Sequence, residues 1–524
     1  MIPVQERTAP NGMVATVDHL ASEAGVAMLR AGGTAADAAV AASAVLAVTC
    51  QHLCGMGGDL FAVVYDAETS TVATLNASGR AGSGADDASA ALRAEGRTSM
   101  PFRDDIRVVT IPGCVDGWLA LHTRFGRLPL ADVLGPAIGY AEDGFAPSVT
   151  TRVTRQAMST LPGGDDYAGE MPVIRRPGVA RALREVASGG RAAFYEGEFG
   201  AGLIQLGAGL YTTEDLAAVQ AEWVQPLRVD ALGHVLWTVP PNSQGYLALA
   251  SAWILDGLDV PDDPDDPLWA HLLVEASRQA AFDRNAVLHD AADGDALLAP
   301  SRLEARRDAI DPHVAADLAD VYATGGTMCM SAVDKERTAV TLIQSNASGW
   351  GSNLVEPNTR IFLHNRGMGF SLDPSHPAAF AAGRRPPHTL SPMMVTDHDG
   401  GLTMTIGTMG GDSQPQILLQ LLTRLLVHGA SPNRAVAEGR FVLASPELGG
   451  TGFDTWADNG RVRVRVEGNA PSTWVDGLRE RGHDVEETAP FDHGFGHAHV
   501  IVNQGDILNG AADPRPRSGS ASGY

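Results

Sequence analysis

A chain of 524 residues and 54.8 kDa can bury a large core, as several domains or as one large α/β unit. It carries 62 Asp and Glu against 38 Lys and Arg, formally −24, and such a surface repels nucleic acid and anionic membranes. Lys335 is the only lysine and falls in an expected exposed turn, which argues against Schiff-base, pyridoxal and P-loop chemistry.

From Met1 to Gly12 there is no apolar run, and no stretch of about 18 uninterrupted apolar residues follows, so a cytoplasmic protein is expected. Asp18 is placed to cap a helix whose apolar positions Leu20, Ala24, Ala27 and Met28 lead to a Gly32-Gly33 stop. Thr34 and Asp37 open a second helix, so rich in alanine and valine up to Val48 that it must be buried on most sides. Four cysteines, Cys50, Cys54, Cys114 and Cys329, are too few for a disulfide framework. The Cys50/Cys54 spacing lacks a second pair, so packed thiols are expected and neither metal nor cofactor is implied.

Gly55-Met56-Gly57-Gly58 precedes a strand at 60–65, the reverse of the order a dinucleotide fingerprint needs, so these glycines are read as allowing close backbone approach. A strand at 72–75 leads to loop and surface helix at 76–91. From 113 to 144 the pattern is helical, with Trp118, Leu121 and Phe125 at packing spacing and a break at Leu128-Pro129-Leu130. The stretch 150–320 reads as helical and loop-rich. Within it a strand at 235–239 exits through Pro240-Pro241-Asn242-Ser243-Gln244-Gly245 into a helix at 246–255. Asp262-Asp263-Pro264-Asp265-Asp266-Pro267 is read as solvated surface, because its prolines keep the carboxylates from converging on one ion.

Gly325-Gly326 then leads into an alternating run from Thr327 to Asp334, a turn at 334–337 and a second strand at 338–344, a hairpin with Thr327 at its leading edge. A threonine hydroxyl becomes a competent nucleophile when the residue is N-terminal and its own α-amino group, with a pKa of about 7.7–8.0, serves as base. That reading demands a chain cut between Gly326 and Thr327; on these residues alone an ordinary glycine loop is the simpler alternative. Beyond the hairpin, strands are expected at 360–363, 393–396, 402–406, 462–466 and 498–502. Gly410-Gly411-Asp412-Ser413 joins one of them to an apolar helix at 416–427. Its glycine N–H groups are placed either to hold a developing oxyanion or simply to connect strand and helix.

In this order the separated motifs resemble the γ-glutamyltranspeptidases, which are N-terminal-nucleophile hydrolases, over nearly the whole chain. The resemblance rests on Gly12-Met13-Val14-Ala15, Ala35-Ala36-Asp37-Ala38-Ala39-Val40, Gly55-Met56-Gly57-Gly58 and Ile111-Pro112-Gly113. It continues through Pro240-Pro241 with Ser243 and Gly245, the Thr327 block ending Ser331-Ala332-Val333-Asp334, Leu390-Ser391-Pro392, Gly410-Gly411 and Ala512-Asp513-Pro514-Arg515. It implies a four-layer αββα sandwich that cuts itself into fragments 1–326 and 327–524, which stay wound together as a heterodimer; a higher oligomer stays open. It further implies Thr327 as nucleophile and amine base, Gly410 and Gly411 as oxyanion hole, and Asn346 beside the nucleophile and substrate.

Departures from the family pattern bear on the substrate. The arginine that holds the glutamyl α-carboxylate sits in an Asp-Phe-Arg-Glu run in the family; here the stretch is Asn76-Ala77-Ser78-Gly79, with Arg80 two places late. Arg366 and Gly369 stand where the family has glutamine and aspartate for the glutamyl ammonium, His388-Thr389 replaces a serine pair, and Gln344 replaces a threonine beside the nucleophile. An ammonium left unpaired in a closed site costs roughly several kcal/mol. The expected substrate is therefore a small anionic acyl compound such as an oxamate-type amide, clamped by Arg366, Arg80 or His388. Arg366 and Arg80 also read as surface residues, and His388 as a structural hydrogen-bonder. The alternatives are γ-glutamyl transfer or glutathione hydrolysis, C–C cleavage next to an oxalyl group, and an unprocessed binding protein.

Overall fold

Alternation along the strand Gly326–Val333 sends Met330 and Ala332 to one face and Cys329 and Val333 to the other, and both sets are buried. A strand apolar on both faces belongs in the middle of a layered structure. In a computed structural model describing residues 6–169, 172–318, 326–444 and 462–524, it lies third in a seven-stranded sheet. The order is Ser520–Gly523, Met13–Thr16, Gly326–Val333, Ala339–Ala347, Asp59–Asp66, Thr71–Ala77, Glu222–Val224. A second seven-stranded sheet runs Arg7–Ala9, Leu508–Ala512, His497–Asn503, Leu402–Met409, Met393–Thr396, His234–Thr238, Leu227–Ala231. All pairings within these two sheets are antiparallel.

The sheets stack on a shared core of Phe61, Val63, Cys329, Ile343, Met394, Leu402 and Ile501. Gly407 permits the close approach: a Cβ there would lie 2.2 Å from Cys329 Sγ. Helices His19–Arg30, Ala35–Thr49 and Cys114–Phe125 cover the outer face of the first sheet. Tyr246–Asp256, Pro267–Ala281 and Gln414–Leu422 cover that of the second, completing the αββα sandwich. Asp18 caps the first helix by accepting Leu20 N–H, and Thr34 and Asp37 form a reciprocal capping box on the second, all of whose residues are buried.

Residues before and after position 326 interleave in both sheets, and Asn11 N–H donates to the Tyr524 carbonyl at 2.9 Å. A cut there therefore leaves two chains sharing one core. The hairpin turn forms as expected, with Asp334 N–H donating to Thr338 O at 3.0 Å.

Two expectations are corrected. Residues 360–363 make only isolated bridges, Val355 with Phe362 and Gly57 with Leu363, because Arg360 has φ +61°, incompatible with an extended run. In the middle third, the strand Leu227–Ala231 pairs with His234–Thr238 through a tight turn at Leu232-Gly233, with φ of +54° and +71°.

Candidate active site

The hairpin register pairs Met328 with Gln344 and Gly326 with Ala347, with an irregularity between, so the Thr327 backbone lies across from Ser345 and Asn346. On the other side of that strand, Ser345 pairs with Asp59. Gly57 and Gly58 admit this crowding: a Cβ on Gly58 would lie 2.3 Å from Ser345 O, and one on Gly57 2.3 Å from Phe362 O. The expected close approach at this glycine cluster is what the fold uses.

Arg366, only 2% exposed, opens the one-turn helix Arg366–Gly369 and reaches into this region. Its Nη1 donates to Thr389 Oγ1 at 3.2 Å and its Nη2 to Ser345 Oγ at 3.4 Å, while Nε has no hydrogen-bond partner among the described residues. Burial pulls its pKa down and the charges of Asp59 and Asp412 push it up, leaving it at about 10 and cationic at neutral pH.

Asp59 supplies the nearby negative charge. Its Oδ2 lies 3.1 Å from His388 Nε2 and 3.7 Å from His364 Nδ1, and its Oδ1 accepts Gly79 N–H at 2.9 Å. Burial raises this carboxyl, but the imidazoles and the amide more than reverse that, to about 2. His388 accepts Leu390 N–H at Nδ1 (3.4 Å), which puts its proton on Nε2, facing Asp59. Burial and the Arg366 charge hold it near 3, a neutral imidazole.

The glycine turn follows the strand Leu402–Met409. Gly410 has φ +149° and Gly411 φ +55°, and neither N–H is donated to a protein acceptor among the described residues. Gln244 Nε2 donates both to Gly411 O (3.0 Å) and to Thr389 O (3.1 Å), tying the turn to the residue that meets Arg366. Arg284 Nε donates to Gln244 Oε1 at 3.0 Å, and its Nη2 stands 3.4 Å from Asp412 Oδ1.

The structure thus brings together Arg366, His388, Thr389, Gly410 and Gly411 beside the strand that begins at Gly326-Thr327. Asn346 adjoins Thr327 by register; its Nδ2 donates to Gln51 O at 3.0 Å, and its Oδ1 has no partner among the described residues. Two expected substrate contacts are not brought in. Arg80 turns outward to Glu222 at 3.2 Å, the surface reading. Gln344 falls on the opposite face of its strand from Ser345, where Nε2 donates to Ser43 O and Oε1 accepts from Cys114. Conversely, Arg366 is no surface residue. Sequence reasoning missed Asp59, Gln244, Ser345, His364 and Arg284; an aspartate heading an apolar strand straight after Gly57-Gly58 was the one available signal.

The packed-thiol expectation holds, since all four cysteines are free and buried. Among the described residues no group of three or more His, Cys, Asp or Glu is arranged to hold a metal ion, and no helix is long and apolar enough to cross a membrane.

Neutral buried imidazoles give the fold an acid-sensitive window. Burial depresses His52 and His499 to about 4 and His388 and His483 to about 3, from 6.5. Below 6.5 the unfolded chain takes up protons these groups refuse, so their contribution is complete above that pH and shrinks as pH falls toward their folded values. Each group contributes a slope of about 1.4 kcal/mol per pH unit inside the window. Asp334, raised by burial to about 6, opposes the trend, as do the burial-raised carboxyls of Asp18, Asp116, Asp166 and Glu356, but burial lowers His271, His364, His493 and His497 too, so the imidazoles set the sign between about pH 7.5 and about pH 5.5. Thermal midpoints measured at about pH 7.5 and about pH 5.5 should therefore drop on acidification; equal midpoints would contradict this.

The sequence model of the γ-glutamyltranspeptidase family matches residues 21–524. The chain is similar to an oxamate amidohydrolase proenzyme of Klebsiella pneumoniae, 37% identical over 539 aligned residues and 98% of each chain. It is 35% identical to a glutathione hydrolase-like proenzyme, YwrD, of Bacillus subtilis, over 96% of this chain and 97% of that one. The crystal structure of a cephalosporin acylase from Bacillus halodurans superposes with a TM-score of 0.87 at 30% identity, covering 99% of this chain and 97% of the other.

Proposed function

The chain belongs to the γ-glutamyltranspeptidase family and is an N-terminal-nucleophile hydrolase; from that premise we propose that it cuts itself before Thr327 and hydrolyses small carboxylate-bearing amides of the oxamate type. The Thr327 hydroxyl attacks the Gly326 carbonyl, the amide shifts to an ester, and water releases the ester to leave a free Thr327 amine. Fragments 1–326 and 327–524 remain interleaved as a heterodimer. In turnover Thr327 Oγ attacks the substrate amide carbon and its amine takes the proton. The Gly410 and Gly411 N–H groups receive the oxyanion, ammonia departs with that proton, and water hydrolyses the threonyl ester.

One observation carries the choice of substrate: Arg366, a buried guanidinium whose hydrogen-bond partners are two neutral hydroxyls and whose Nε is unpartnered among the described residues. A substrate carboxylate completes it with a charge-assisted pair. A glutamyl ammonium meets a cation there instead, and Asp59 is already engaged by His388 and the Gly79 amide. The clamp also lies close to the glycine turn, since one Gln244 nitrogen bonds both Thr389 O and Gly411 O. That spacing suits an acid whose carboxylate adjoins the scissile amide.

Ammonia release from oxamate, measured beside release of p-nitroaniline from γ-glutamyl-p-nitroanilide, tests this. The expected kcat/KM for oxamate is at least about 100-fold higher, following from several kcal/mol for an unpaired ammonium. Comparable values for the two substrates would contradict the proposal.

A further inference from the structure

We propose that Gln244 is a positioning residue that holds the oxyanion turn in register with the anion clamp, and that Arg284 locks its side-chain amide in the one orientation able to do so. The proposal rests on the roles given above to Arg366, Gly410 and Gly411.

Gln244 is fully buried, and its NH₂ group spends both protons on backbone carbonyls, Thr389 O at 3.1 Å and Gly411 O at 3.0 Å. Thr389 presents its hydroxyl to Arg366, and Gly411 is half of the oxyanion turn. A single amide nitrogen therefore spans the two places where substrate charge is to be recognised. Flipped, the same side chain would turn its oxygen toward both carbonyls; the Arg284 Nε donor at 3.0 Å from Oε1 opposes that flip. Arg284 is itself held against Asp412, the residue after Gly411.

The backbone around Gln244 is tied to the same segment. Ser243 bridges His388 in parallel, His388 N–H donates to Asn242 O at 2.8 Å, and Gln244 N–H donates to His388 O at 2.8 Å. The donor of the brace, Gln244 Nε2, precedes position 326 and both of its acceptors, Thr389 O and Gly411 O, follow it, so the fragment carrying the glycine turn depends on the other fragment to set it. Misplacement of catalytic donors by about 1 Å costs on the order of 10²-fold in rate.

The test compares Gln244→Glu and Arg284→Met with the wild type on oxamate and on oxamide, its uncharged diamide. Rates are expressed per cleaved molecule, counted by intact mass, and the thermal midpoint is recorded alongside. Gln244→Glu keeps the size of the side chain but turns the two donors into acceptors. It is expected to lower kcat about 100-fold with KM for oxamide changed less than about threefold, and to compress the preference for oxamate about tenfold. Arg284→Met keeps the amide and frees it to flip, with an expected loss of about tenfold in kcat; it decides the matter if Gln244→Glu fails to fold or cut. A merely structural pair would reduce the folded or cleaved fraction and leave kcat per cleaved molecule and the oxamate-to-oxamide ratio unchanged, which would overturn the brace. Wild-type protein that cleaves neither amide would overturn the functional reading and this proposal with it.

Discussion

Replacing Arg366 with leucine is expected to lower kcat/KM for oxamate by about 10²- to 10³-fold, the scale set by removing one partner of a buried charge pair. Arg366 is 2% exposed and its guanidinium spans Thr389 Oγ1 and Ser345 Oγ, so leucine removes the group that links the two hydroxyls and leaves the substrate carboxylate without its cation. Lysine keeps the charge but not the fork that reaches two hydroxyls, and is expected to fall between. A second readout separates loss of charge from loss of shape. The Arg366 charge is one cause, after burial, of the low His388 value, so His388 should titrate higher in the leucine variant than in the wild type. Steady-state kinetics and imidazole NMR titrations measure the two effects. A leucine variant within threefold of wild type would show that the carboxylate binds elsewhere.

Gly410→Ala is expected to lower kcat by about 10²- to 10³-fold with little change in KM, the usual consequence of losing an oxyanion donor. At φ +149° and ψ +13° the residue sits where an L side chain is strained, and a Cβ would lie 3.0 Å from Ile417 Cδ1 on the apolar helix. The turn must re-form to relieve this, which moves the N–H groups of both glycines away from the reacting carbonyl. The effect falls on kcat because the oxyanion develops in the transition state and tetrahedral intermediate and is absent from bound substrate, and this separates it from the Arg366 substitution, which acts on substrate binding as well. Full turnover by a folded, cleaved Gly410→Ala protein would remove this turn from the mechanism.

The parts of the molecule legible from the sequence are those set by near neighbours. Alternation from Thr327 to Gln344 predicted the central hairpin, the Asp18 and Thr34-Asp37 caps marked two helix starts, and Gly55 to Gly58 marked a close backbone approach. Residue order was enough to place the two glycines at the start of the Gln414–Leu422 helix. What escaped depended on distant partners. Nothing local tells that Arg80 meets Glu222, 142 residues on, and so leaves the site to Arg366. Gln344 and Ser345 are both polar and adjacent; only the stacking of the second sheet decides that Ser345 turns toward Arg366 and Gln344 toward the helices. Arg284 lies in a helical stretch with no motif, and its meaning comes from Gln244 and Asp412. The bend at Arg360 and the Leu232-Gly233 turn each put a non-glycine residue at positive φ, a conformation that the residue type does not announce.

Thr327 is expected to become an N-terminus and act as the nucleophile, which intact-mass spectrometry of the purified protein beside Thr327→Ala measures. Two fragments are expected in the wild type, with masses matching 1–326 and 327–524, and one uncut chain of 54.8 kDa in the variant. A single uncut chain in both would mean that Thr327 never gains a free amine, and would contradict the nucleophile and every step built on it.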